Sequence, residues 1–244
     1  MERQIPMNDT EAKHPTPNSP KVNYLRDFIY GGIDGAVTTF AVVAGVAGAS
    51  LSSTVIIIMG LANLVADGFS MAASNYSGTK SEIDDYRRLR EMRLREIREH
   101  PETVRMRTKQ LLAAKGLSGE TLQSASAAIA NRTDRWVEFL MTEEHGQPMV
   151  RRDPLKSAFA TFIAFAICGL VPLIPFFIDL GEPFMTGIIM TGIVFFLIGA
   201  AKSHWSTANW WRSGLETFLI GMAAALLAYL AGYGLKELID PTIG

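Results

Sequence analysis

FIYGGIDGAVTTFAVVAGVAGA at positions 28–49 and VIIIMGLANLVADGFSMAA at positions 55–73 decide the fold. Each run is close to the ~20 residues that an α-helix needs to cross the hydrocarbon core of a bilayer. Each also carries an acid: Asp34 lies in the first and Asp67 in the second, with Asn63, Ser70 and Met71 nearby. An ionised Asp near the bilayer centre costs about 2.5–3.5 kcal/mol on insertion scales, so it normally faces a cavity or a partner. Carboxylate, amide and thioether groups inside two apolar helices point to a cation path.

Working outward, three more apolar runs appear, at 158–178, 184–201 and 215–235, which makes five spans. Between the second and third lies a polar stretch, 76–156, with sixteen of the 23 Lys and Arg and thirteen of the 24 acids. The expected fold is an all-α integral membrane protein: five transmembrane helices, with a three-helix cytoplasmic domain inserted between the second and third spans. The segments are a disordered tail over 1–22, the pore hairpin over 23–75, the helical insert over 76–154 and the last three spans over 155–244. Within the insert, 81–99 reads as a solvated helix continuing the second span. Pro101 marks a break or first turn. A second helix over 103–115 is closed by Gly116, and a third covers 120–144, with Leu122, Ile129, Trp136, Val137 and Leu140 available for packing.

The short turns at 50–54 and 179–183 contain no Lys or Arg, whereas the insert is rich in them and the 202–212 turn has one at each end. The positive-inside rule therefore puts the N-terminus and the insert in the cytoplasm and the C-terminus on the far side. The tail has three prolines among mixed charges before Pro20 and no apolar h-region, so it does not read as a signal peptide. A net charge of −1 argues against nucleic acid as a partner. The single cysteine, Cys168, sits in an apolar run and reads as a small buried hydrophobe. Trp205, Trp210 and Trp211 suit headgroup depth, and Pro172 and Pro175 should kink the third span. Gly187, Gly192, Gly199, Gly214 and Gly221 suit close helix approach.

At about 100° per residue, Asp27, Asp34 and Thr38 share one face of the first helix. Asn63, Asp67, Ser70 and Ser74 make a similar stripe on the second, with Met71 at its border. Two such stripes facing each other would line a polar seam. Intramembrane polar groups also glue helices together, which is the competing role for Asn63, Ser70 and Ser74. It suits Asp34 less, because no Lys or Arg lies in any span to neutralise it. Oxygen ligands with one soft sulfur suit Mn²⁺ or Fe²⁺, and no Cys/His cluster has zinc spacing. A membrane diiron enzyme would use Glu-x-x-His on its helices, but that spacing occurs only at Glu11–His14, in the tail.

The segment DFIYGGIDGAVTTFAVVAGVAGA, followed by GLANLVADGFSMAASNYSGTKSE, resembles the vacuolar iron transporter family, including its yeast-type calcium-cross-complementer relatives. The likeness is specific in the first two spans and extends as an architecture over 24–238. It implies a five-span homodimer exporting Fe²⁺ or Mn²⁺ from the cytosol by proton antiport, with the path between the first two helices of both subunits. It further implies that Asp34 and Met71 are pore ligands, with Asp27 near the entrance; the polar stripe of the second helix adds Asp67 and Asn63 as candidates for the same lining. In that family the cytoplasmic insert binds metal through several glutamates and a methionine.

Two departures stand out. Many members end the second span in Gly-Glu-Tyr, where this chain has Ser74-Asn75-Tyr76. Aligned on the Gly116-Leu117 turn, the insert's expected glutamates fall at Arg93, Glu96, Val104, Arg107 and Glu144. That leaves Glu96, Glu144, Met141 and the adjacent Glu143 as candidate cytoplasmic metal ligands, beside guanidiniums that repel a dication. The expected function is a metal-homeostasis transporter rather than an enzyme. Its partners are divalent metal ions, protons, the lipid bilayer and a second copy, and iron or manganese is substrate, with no cofactor. The alternative is a metal-responsive membrane regulator or scaffold that binds without conducting. The membrane is expected to be a bacterial-type cell membrane or an organellar, vacuolar one.

Overall fold

The computed structural model describes residues 24–146, 152–178, 181–205 and 207–239. The tail over 1–22 lies outside them, as does the side chain of Trp205. The described residues are helical, without strands, and form two units. The apolar unit spans 24–79 and 153–239, and the polar unit spans 80–146 with residue 152.

In the apolar unit, α1 (Leu25–Gly48) is the central helix. It packs on α6 (Pro154–Leu170), α8 (Pro183–Lys202) and α9 (Trp210–Ile239). Among the described residues five helices are long and apolar enough to cross a membrane, in agreement with the five runs read from sequence. The core joins Ala36, Phe40 and Val43 of α1 to Phe165 of α6, Phe195 of α8 and Ala225 of α9. Contact between α1 and α6 is backbone on backbone. A Cβ at Gly31 or Gly35 would overlap the carbonyl oxygens of Thr161 and Phe165. The α8–α9 contact uses the same device, with Gly199 against the Ser213 carbonyl and Gly221 against the Phe195 ring. The third span is interrupted where its prolines predict: α6 stops at Leu170, a 3₁₀ turn covers Val171–Leu173, and α7 (Ile174–Phe177) completes it.

After α1 the chain turns through Ser50, whose φ of 56° is left-handed. Leu51 N–H donates to Val46 C=O at 3.2 Å and Ser50 N–H to Ala47 C=O at 2.9 Å, a Schellman-type cap. Lys236 Nζ donates to Ser50 Oγ at 3.2 Å, which ties the end of α9 to this turn. Then α2 (Ser53–Glu99) runs unbroken for 47 residues, as the charged continuation at 81–99 suggests. In its apolar half the inward positions are Ile56, Gly60, Leu64 and Gly68, four residues apart. Gly60 lies against the Leu173 side chain and Gly68 against Phe162 and Phe165. The opposite face, with Ile58, Met59, Leu61, Val65 and Phe69, is exposed.

The polar unit holds the end of α2 with α3 (Pro101–Ala114), α4 (Gly119–Ala130) and α5 (Thr133–His145). Pro101 is the first residue of α3, after His100 leaves helical geometry. Gly116 has a φ of 91°, as a helix stop requires. The single helix expected over 120–144 is instead two helices. They are divided at Asn131 and Arg132, where Arg132 is extended (φ −127°, ψ 103°). The run Asn131-Arg132-Thr133-Asp134 clusters residues that favour helix starts, so the break had a local signal. Ile97, Val104, Trp136, Val137, Leu140 and Met141 form the unit's core. Trp136 Nε1 donates to Thr108 Oγ1 at 2.7 Å. Ile129 packs at the margin of this core, whereas Leu122 lies outside it.

Because a Cβ at Gly35 meets backbone rather than a movable side chain, Gly35→Val should force α1 from α6 and cost about 1–3 kcal/mol or more. A lower midpoint in detergent thermal unfolding checks this, with Leu219→Ala, exposed on α9, as the unchanged control.

Candidate ion site

Helix α1 positions Asp27, Asp34 and Thr38 as its periodicity requires, but their surroundings differ. Asp34 is half-buried, and Thr38 Oγ1 donates back to the Asp34 carbonyl at 2.8 Å, so the hydroxyl is spent on the helix itself. On α2, Asp67, Ser70 and Ser74 lie on the exposed face, Asn63 and Met71 at its half-buried border. Met71 packs against the apolar core. The Asn63 Nδ2 amide is buried without a hydrogen-bond partner. Asp34 and Asp67 are close enough for their charges to act on one another. Asp67 lies with Ser70 and Ser74 on an exposed face of α2 that also carries Ile58, Leu61, Val65 and Phe69.

Asp27 belongs to a different arrangement. It is buried at the first turn of α1, where Asn75 Nδ2 donates to its Oδ1 at 3.2 Å. The same amide lies 2.6 Å from Thr161 Oγ1 and 3.3 Å from the Ser157 carbonyl of α6. Thr161 Oγ1 in turn donates to Ser157 C=O at 3.0 Å, and Thr79 Oγ1 to Asn75 Oδ1 at 3.3 Å. Asn75 thus clasps α1, α2 and α6 at one level, at the position where the sequence departs from Gly-Glu-Tyr. A second carboxylate there would confront Asp27, whereas the amide satisfies it. Sequence reading registered Asn75 as a lost acid and missed Thr161 altogether. Glu216, exposed on α9, also went unnoticed inside the fifth apolar run.

In the polar unit, Met141 is fully buried in the core and Glu143 pairs with Lys115 at 2.7 Å. Glu96 and Glu144 are each shared between Arg93 and Arg107. Burial alone would raise the Glu96 carboxyl, but hydrogen bonds from Arg107 and Arg93 and their charges hold it below its ordinary value. Its contribution to stability is therefore complete above the ordinary carboxylate range and is lost as pH falls through the lowered value. The two Glu144 oxygens meet their guanidiniums without hydrogen-bond alignment, so those contacts are electrostatic. Among the described residues, no three His, Cys, Asp or Glu side chains are grouped to hold a metal ion.

Replacing the clasp tests its weight. Asn75→Leu removes the amide from buried Asp27 and should cost about 1–3 kcal/mol of stability, read as a lower unfolding midpoint that Asn75→Gln only partly restores.

Residues 25–233 match the profile of the VIT family. Vacuolar iron transporter 1 of Eucalyptus grandis is 33% identical over 210 residues, covering 84% of this chain and 84% of the relative. Vacuolar iron transporter 1 of Arabidopsis thaliana is 30% identical over 233 residues, covering 93% and 91%. The vacuolar iron transporter of Plasmodium falciparum is 26% identical over 240 residues, covering 93% and 88%. With five helices among its described residues long and apolar enough to cross a membrane, this chain belongs to the VIT family.

Proposed function

We propose that the chain is a transporter that moves Fe²⁺ or Mn²⁺ out of the cytosol in exchange for protons. Its path is lined by Asp34, Asp67, Met71 and Asn63, with Asp27 near the cytoplasmic end. The observation that carries this reading is that Asp34 and Asp67, on two apolar helices with no Lys or Arg in their spans, lie near enough for their charges to act on one another. Two like charges at that depth call for a positive counter-ion, and a mobile dication or protons supply it. Metal and proton compete for the same carboxylate oxygens, which is the chemical basis of exchange. The thioether of Met71 favours a borderline ion such as Fe²⁺ over Mg²⁺ or Ca²⁺. The names of the relatives support iron as cargo and an organellar, vacuole-type membrane. Membership of a transporter family supports transport rather than catalysis.

A second copy completes the path. One hairpin supplies too few ligands for a dication that prefers about six contacts. Asp67 points outward beside Val65 and Phe69, each at least 65% exposed in the single chain. A two-fold partner on this face would bury the apolar side chains and bring two copies of each acid together. The orientation proposed is N-terminus and polar unit in the cytoplasm, from the distribution of Lys and Arg.

In proteoliposomes, Asp34→Ala should abolish Fe²⁺ and Mn²⁺ flux while the protein still inserts and dimerises; parental flux in that variant would overturn the assignment. Binding without flux in the parent would favour a regulator or scaffold. Met71→Leu keeps the volume and removes the sulfur, so the Fe²⁺ to Mn²⁺ flux ratio should fall. An unchanged ratio would take the thioether out of the site. A cysteine at Phe69, in a Cys168→Ala background, should form an intermolecular cross-link in membranes. A strict monomer by light scattering that still transports would refute the dimer.

A further inference from the structure

Arg93 occupies an unusual position for a surface arginine. Its Nη1 lies 2.5 Å from Glu96 Oε2 and its Nη2 2.8 Å from Glu144 Oε2. His145 Nε2 stands 3.1 Å from Nη2 and 3.3 Å from Nε. A guanidinium has no acceptor, so Nε2 is the acceptor in these contacts. The guanidinium is thus wrapped by two carboxylates and the lone pair of an imidazole, a donor set that suits Mn²⁺ or Fe²⁺.

Arg107 closes the arrangement from α3. Its Nη2 is 2.8 Å from Glu96 Oε1, and its Nε 3.6 Å from Glu144 Oε1. Each carboxylate therefore faces one guanidinium with each oxygen, and the four formal charges cancel. The side chains of Arg93, Glu96 and Glu144 are only 14%, 23% and 12% exposed. The unit's other Arg–carboxylate pairs, such as Arg87–Asp84 and Arg105–Glu102, join i and i+3 of one helix in the open. Those contribute little. The ring instead joins α2, α3 and α5 beside the core of Ile97, Val104 and Leu140.

We propose that Arg93 is the resident cation of a cradle made by Glu96, Glu144 and His145, clamped by Arg107, so that the polar unit is closed by an internal cation instead of a bound dication. Assembly of the unit does not depend on metal. Cytosolic metal therefore does not act through it, and these carboxylates do not hand ions to the membrane path. Glu96, Glu144 and Met141 leave the list of metal ligands: the acids are consumed by guanidiniums and the thioether is in the core.

The test uses the full chain in detergent, with Asp34→Asn to remove the membrane acid and Mn²⁺ as probe. Bound Mn²⁺ is counted by the loss of its free EPR signal. The quantity read is the difference made by adding Glu144→Gln, so any Mn²⁺ retained in the spans cancels. With the ring intact, that difference should be zero, and chelator should leave the unfolding midpoint unchanged. Arg93→Ala with Arg107→Ala should lower the midpoint by about 4 °C or more. That variant should gain one Mn²⁺ per chain that Glu144→Gln removes, and Mn²⁺ should restore its midpoint. Should the double variant fail to fold, Arg93→Ala alone retains the Arg107 clamp and should show the same gain. Arg93→Lys with Arg107→Lys keeps the charge and should bind none. Two results would overturn the proposal: a Mn²⁺ on the intact ring that Glu144→Gln removes, or arginine-free variants that neither lose stability nor gain Mn²⁺.

Discussion

A carboxylate taken out of water needs a donor or a counter-charge, and this chain meets that requirement in three different ways. Asp27 is given a neutral donor, the Asn75 amide, held in place by Thr79 and the α6 hydroxyl of Thr161. Glu96 and Glu144 are given fixed cations, the guanidiniums of Arg93 and Arg107. Asp34 and Asp67 are given each other, a like charge, in helices whose membrane-crossing runs contain no base. The first two solutions are complete within one chain and hold helices together. In the proposed path the third is satisfied by an ion that arrives and leaves, as a transport site requires.

Packing supports the same division. Backbone meets backbone where Gly31 and Gly35 of α1 touch α6, and contacts of that kind do not yield by rotamer change. Asp34 is therefore carried on a helix fixed by its neighbours. The apolar half of α2 leans on the bundle through side chains only, with Gly60 and Gly68 receiving Leu173 and the phenylalanines of α6. Its acid-bearing face is left unpacked. A path proposed between α1 and α2 thus has one wall held by main-chain contact and one whose outer surface awaits a partner.

Much of this was legible in the sequence because hydrophobic length and charge segregation are coarse signals. The five spans, the unbroken run from the second span into charged residues and the stop at Pro101 follow from period, length and proline chemistry. The intramembrane acids were equally plain, since an Asp among Val, Ile and Ala has few structural uses. What sequence could not supply was partner identity. The interruption at Asn131 was hidden by the apolar positions on both sides of it, although Asn-Arg-Thr-Asp carried the signal. Arg93 and Arg107 were visible as lost acids, but their role depends on α3 and α5 folding back onto α2, which no local pattern encodes. His145 closes the cradle from the last turn of α5 and has no motif of its own. Likewise Asn75 gains its meaning from Thr161, 86 residues away.

The contrast between the ring and the membrane acids can be taken one step further by charge. Two carboxylates with two guanidiniums are neutral, so a dication added to the ring would leave an uncompensated double positive charge in a half-buried site. Asp34 and Asp67 together are doubly negative when ionised, and a single dication neutralises them. In the proposed dimer four such acids converge, and one dication leaves a double negative charge that two protons can balance. Metal and protons then exchange because the low-dielectric site tolerates little net charge, whatever the ligand geometry around the ion. On this view coupling follows from where bases are absent: a Lys or Arg beside each of the two acids would supply the missing charge permanently and turn the path into another ring.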